Sequence, residues 1–352
     1  MTGDRAVLRW FADHTAGTPV TGLPCDLDPD WILEYLQTRG KHDVFEIVAA
    51  GDYTDYSTFP SYGVRQGRRL EPEHVAMERV ERIGDVVSAW QALQGERPEL
   101  AGMKVQISQP NPLDLAMFVF AGAAVSAGLP VGKALRHIGV VVAALRHLPV
   151  FTEAVLGEMT EVQQRYGDSV VWQVESPFAL LSMVKAQQLR FQWAVAPLVA
   201  GQLAGFLERM AAIGADRVVH LCYGDYGHKS LLSPRDLAPA VTLLNHTARR
   251  LHKAGLPLPP AHVPCAFGAE PAPLDPEFYA PLRRLDPGWR VIAGVASSEP
   301  GDESARARDL FEAAAGRTAY GIATACGLGR CSVAEAAQAA ATTVAVAAGP
   351  RG

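Results

Sequence analysis

Short apolar runs alternate along this chain with longer stretches whose hydrophobic residues recur at helical spacing. The runs at 19–22, 44–50, 103–108, 170–175, 217–222, 262–267, 290–295 and 319–324 are the predicted strands. Between them the pattern predicts helices over 29–38, 72–92, 113–128, 132–147, 151–166, 193–213, 234–254, 305–315 and 332–348. Eight strands separated by helices are the order of an α/β protein, here a single (β/α)8 TIM barrel. All of 1–352 then forms one domain with an N-terminal helical and loop extension. The proline-rich runs at 255–260 and 270–276 read as surface loops, too short for domain linkers.

A barrel carries its catalytic groups at the carboxyl ends of its strands. In this chain those ends hold Pro24-Cys25, Gly51-Asp52-Tyr53, Ser108-Gln109-Pro110, Glu175-Ser176-Pro177, His220-Leu221-Cys222, Glu270 and Cys326. Polar and sulfur-bearing residues therefore gather just past the apolar runs, where ligands bind in such a fold.

Composition narrows the class. At 352 residues, with hydrophobic residues at 49% and charged residues at 20%, the chain has ample material for a large core. A formal net charge of −5 and the lack of a basic tract give no reason to expect nucleic acid. The longest apolar stretches, 115–129 and 138–145, fall short of a membrane span, and no apolar signal region opens the sequence. The cysteines are Cys25, Cys222, Cys265, Cys326 and Cys331, an odd and sparse set. They point to a reducing, cytoplasmic setting without a disulfide framework. The expected partner is a small molecule.

The strongest chemical signal is His220-Leu221-Cys222-Tyr223. On a strand, residues two apart share a face, so an imidazole and a sulfur would project together as half of a tetrahedral zinc site. Cys326, in Ala325-Cys326-Gly327-Leu328, is the natural third ligand about a hundred residues later. A packed His/Cys pair is the bland alternative for either element alone. The two in combination favour metal. No Walker, dinucleotide-loop or nucleophile-elbow motif is present.

At these residues the chain resembles the zinc-bearing C-terminal barrel of cobalamin-independent methionine synthases, a family of the uroporphyrinogen decarboxylase/methionine synthase superfamily. His220-Leu221-Cys222-Tyr223 is similar to that family's His-x-Cys-Tyr segment, and Ala325-Cys326-Gly327-Leu328 to its Asp-Cys-Gly-Leu segment. The resemblance implies zinc held by His220, Cys222, Glu270 and Cys326, with Cys265 the rival to Glu270. It also implies that Asp52 and Glu175, in Gly51-Asp52-Tyr53 and Gln173-Val174-Glu175, hold a substrate amino group.

The implied activity is zinc-dependent methyl (alkyl) transfer. A thiol acceptor, activated as a zinc-bound thiolate, takes a methyl group from a 5-methyltetrahydrofolate-like donor. Trp172 and Ser108 are the candidate contacts for that cofactor. His228, close behind the zinc motif, is a candidate proton carrier or an ordinary loop histidine. Three segments differ from the family pattern: Gly22-Leu23-Pro24 lacks its serine, Gly294 to Glu299 lacks its catalytic histidine, and Ala325 stands in place of an acid. The thiol or amino-acid substrate is therefore left unnamed. The alternatives are a zinc-thiolate enzyme that forms or cleaves other C–S bonds, like coenzyme M transferases and lyases, and a non-catalytic thiol- or metal-binding relative.

Overall fold

The computed structural model describes residues 3–15, 18–25, 31–53, 58–122, 134–226, 229–230, 232–267 and 271–349. Seven strands form one parallel sheet: β1 (Leu23–Pro24), β2 (Val105–Pro110), β3 (Val170–Glu175), β4 (Arg217–His220), β5 (Ala261–Pro264), β6 (Val291–Ala296) and β7 (Gly321–Thr324). Each strand pairs with the next in chain order. Parallel neighbours need long crossovers, and helices supply most of them. Examples are Pro112–Ala121 and Ala134–Tyr166 before β3, Pro177–Gln188 and Gln192–Ala212 before β4, Ala238–Lys253 before β5 and Glu303–Ala315 before β7.

Alternation along the strands gives the sheet two unlike faces. Val105, Ile107, Trp172, Val174, Val219, Val263, Ala293 and Val295 are fully buried and form the apolar face. Such two-sided burial is what parallel strands require. On the other face, the apolar Val171, Val218 and Ile292 share the surface with the polar Ser108, Gln173, Glu175, His220 and His262. Gln106 and Gln173 hydrogen-bond across this face at 2.7 Å, so the polar residues do share it.

Among the described residues the parallel sheet has seven strands, so the eighth strand of the expected barrel is not seen there. The segment predicted over 44–50 forms the strand Phe45–Ala49, but it pairs antiparallel with Ser61–Val64 in a separate hairpin. Ile47 and Val48 are more than half exposed there, so nothing covers both faces as a barrel strand would need. Two helices expected at 132–147 and 151–166 are one, Ala134–Tyr166, which runs through Pro149. No helix among the described residues is long and apolar enough to cross a membrane.

Asp114 is a costly polar group in this scaffold. It lies buried in the first turn of helix Pro112–Ala121, where its Oδ1 accepts the Phe178 N–H at 2.7 Å and caps the neighbouring helix. Its Oδ2 has no hydrogen-bond partner among the described residues. Burial pushes its carboxyl well above the usual range, the Phe178 amide opposes this, and the nearby Glu175 charge adds to it. The folded state thus holds this proton more tightly than the unfolded chain. Its contribution to stability is lost as pH rises from the ordinary carboxyl range toward the folded pKa. Asp114→Asn keeps the capping oxygen and removes the charge. We expect it to raise denaturant stability at pH 7, by about 1.4 kcal/mol per pH unit of separation between the two pKa values. The advantage should disappear below about pH 4; a variant no more stable than wild type at pH 7 contradicts the assignment.

Candidate metal and thiol site

Backbone hydrogen bonds continue the parallel register past the strand ends. Asn111 N–H donates to the Glu175 carbonyl at 2.9 Å, Ser176 N–H to the His220 carbonyl at 3.0 Å and Leu221 N–H to the His262 carbonyl at 3.1 Å. Glu175, His220 and His262 are consecutive partners across β3, β4 and β5. Three side chains distant in sequence are thereby set side by side on the polar face.

Strand β4 ends at His220, two residues earlier than the sequence pattern predicted, and Cys222 sits just beyond it. Gly224 adopts a left-handed backbone (φ 71°), and its N–H donates to Cys222 Sγ at 3.3 Å. Cys326 follows β7 in a turn closed by the Thr324 hydroxyl, which donates to the Cys326 carbonyl at 2.6 Å. The two sulfurs approach to 3.8 Å. Ligand atoms of His220, Cys222 and Cys326 all lie within 4.8 Å of one another.

This donor set fits zinc. One imidazole and two sulfurs are borderline-soft ligands that zinc accepts in tetrahedral sites, with a fourth place for protein or substrate. The electrostatics agree. The hydrogen bond with Cys222 and burial push the Cys326 thiol well above its ordinary range, against the pull of His220. Burial lowers the His220 imidazole, but its hydrogen bond and charge interaction with Cys326 outweigh that and bring it out above the usual range. A crowded Cys326 thiol and a buried His220 imidazole that hold their protons this way are groups a divalent cation would relieve.

In fold the chain is similar to a B12-independent methionine synthase from Shewanella sp. W3-18-1, whose structure was solved in complex with selenomethionine. It superposes with a TM-score of 0.53 at 13% sequence identity, over 98% of this chain and 87% of that one. That likeness shows the fold. No protein-family profile matches the sequence, and no curated protein matches it.

The remaining sequence-predicted residues fall in different places. Glu175 is half-buried beside His220, and its Oε1 accepts the Ser108 hydroxyl at 2.6 Å, so both belong to this group. Asp52 is exposed at the end of the separate hairpin, where its N–H donates to the Thr58 carbonyl at 2.8 Å. The next residue, Tyr53, has a left-handed backbone (φ 83°), a costly conformation for a side chain of that size. Trp172 lies fully buried on the apolar face, opposite Gln173 and Glu175, and offers no surface to a ring. Glu270 and His228 lie outside the described residues. Cys265 is buried on the apolar face, donates to the Val263 carbonyl at 3.6 Å and is absent from the cluster. Burial raises its thiol far above the ordinary range.

Two residues were not singled out by the sequence. His262 places its Nδ1 2.5 Å from His220 Nδ1. Burial, with the adjacent His220, holds the His262 imidazole well below its ordinary range and so neutral. Arg79 clamps β2 from outside: it pairs with Glu158 at 2.7 Å and donates to the Ser108 carbonyl at 2.9 Å. The alternation of the 262–267 run placed His262 on a strand face, but no local signal marks which neighbour it meets.

Protein purified without added metal should carry about one zinc per chain by elemental analysis. Cys222→Ser and Cys326→Ser should each lose most of it, whereas Cys265→Ser should keep it. Retention of zinc by both site variants contradicts this ligand set.

Proposed function

We propose that this chain is a zinc-dependent methyl (alkyl) transferase that acts on a thiol. The observation that carries the reading is the convergence of His220, Cys222 and Cys326 at the carboxyl ends of parallel strands. Support comes from the fold it shares with a B12-independent methionine synthase and from the two sequence segments that resemble that family. His220, Cys222 and Cys326 would hold the metal, with Glu270 as the fourth protein ligand. Zinc bound there lowers the pKa of an incoming thiol and makes it a nucleophile at neutral pH.

The chain's own residues supply position. Ser108 donates to Glu175 and fixes the carboxylate, whose other oxygen faces an ammonium on the acceptor. Arg79 steadies the Ser108 end of β2 from behind. The half-buried setting strengthens the Glu175–ammonium contact relative to water. A 5-methyltetrahydrofolate-like donor completes the reaction. The acceptor thiol loses its proton, and its sulfur bonds the methyl carbon. The donor nitrogen keeps the electron pair of the broken N–C bond and takes up a proton. Glu175 thus contributes proximity, and the transfer itself needs the thiol and methyl carbon in line. Asp52, on the hairpin, is the second acid of the proposal.

Incubation of zinc-loaded protein with homocysteine and 5-methyltetrahydrofolate should give methionine by mass spectrometry. Glu175→Gln should lower kcat/KM by about 10- to 100-fold, as expected for loss of one charge-assisted contact. A thiol that binds without turnover across several methyl donors would rule out the transferase and favour a binding protein.

A further inference from the structure

We infer that His262 is a positioning residue for the metal site, one that holds His220 in the tautomer with its proton on Nδ1 and its Nε2 lone pair free for a ligand. The inference rests on the zinc reading above. Its observation is the approach of the two Nδ1 atoms to 2.5 Å. Two ring nitrogens this close share one hydrogen: two lone pairs or two N–H groups facing each other would repel. The ring centroids are 4.7 Å apart with a tilt of 17°. That spacing is nearly the full nitrogen separation plus the two ring radii, so the rings meet edge to edge, as an in-plane hydrogen bond requires.

Several independent features of the fold maintain this contact. His220 and His262 are register partners on β4 and β5, and the Leu221 N–H to His262 carbonyl bond pins their backbones together. Both side chains are buried, at 5% and 7% exposure, so water does not compete for the shared hydrogen. The facing strand is also cleared for the second ring. A Cβ at Gly294 would lie 2.6 Å from His262 Nε2, closer than side-chain carbons approach. Any larger residue at 294 would push His262 away from His220.

The direction of the bond follows from the donor set. With Nδ1 taken by His262, Nε2 is the His220 nitrogen left for Cys222 and Cys326. A ligating nitrogen carries no proton, so the His220 proton sits on Nδ1 and is donated to His262. His262 then carries its own proton on Nε2, and the backbone hydrogen bond to Thr324 favours a proton on the side of the ring turned away from His220. The reverse assignment would place a hydrogen on His220 Nε2, pointing at the sulfurs where a cation must sit.

The test uses the full chain. In metal-free wild-type protein with 15N-labelled histidine, at a pH high enough that both rings are neutral, two-bond 15N–1H spectra should show His220 protonated on Nδ1 and His262 on Nε2. His262→Leu should weaken zinc binding, measured by chelator competition, by about 10- to 100-fold, and shift the visible bands of the cobalt(II) form. His262→Asn, which restores an acceptor near the Nδ1 position, should recover most of the affinity. A His220 proton on Nε2 in the metal-free wild type, or wild-type zinc affinity in a folded His262→Leu, overturns this inference and leaves the zinc reading intact. A wild type that binds neither zinc nor cobalt overturns both. If His262→Leu does not fold, the wild-type spectra decide alone.

Discussion

The parallel backbone ladder that runs past the strand ends is what the candidate site depends on. The amides of Asn111, Ser176 and Leu221 each donate to a carbonyl of the next strand, those of Glu175, His220 and His262. That register sets Glu175, His220 and His262 as neighbours although they lie far apart in sequence. Side-chain geometry follows from it. The Ser108–Glu175 bond, the edge-on imidazole pair and the position of Cys222 beyond β4 all need these ends to stay level. The polar groups behind the ends serve the same purpose. Asn111 caps its helix through Leu113 N–H at 3.0 Å and donates to the Ser176 hydroxyl at 3.2 Å, so the turns after β2 and β3 are tied to each other.

Much of this was legible in the sequence, and the failures have physical causes. The run 170–175 coincides with β3 because two-sided burial makes a parallel strand a continuous apolar stretch. The pairing of His220 and Cys222 was anticipated from strand alternation, yet the strand stops at His220 and a glycine turn brings Cys222 back. The right residues met through a different local geometry. The strand at 44–50 was read as part of the main sheet because Ile47 and Val48 are apolar. Periodicity reports strand character but not which sheet accepts the strand, and here the exposed faces belong to a hairpin. Trp172 and Cys265 were misplaced for a related reason. Each is one residue out of step with the polar face, and the side-chain period of two turns such an offset into the opposite side of the sheet.

His262 shows what local reading cannot reach. Nothing within its own segment distinguishes it from a core histidine, since its meaning depends on a partner 42 residues away. The strand register supplies that partner. Gly294 belongs to the same class. In the sequence it is one glycine in an apolar run, but in the sheet it is the gap that admits an imidazole.

The balance of donors and acceptors at the strand ends argues for what the site should bind. On the polar face most groups satisfy one another in cross-strand pairs: Gln106 with Gln173, Ser108 with Glu175, and His220 with His262. Arg79 is spent on Glu158 and on the back of β2, so its charge is neutralised before it reaches the mouth. The groups gathered at the strand ends are one carboxylate, one imidazole and two sulfurs, and the Gly224 amide already donates to one of those sulfurs. Each thiol that gives up its proton there adds a charge that this single amide does not offset, which is the balance a divalent cation would restore.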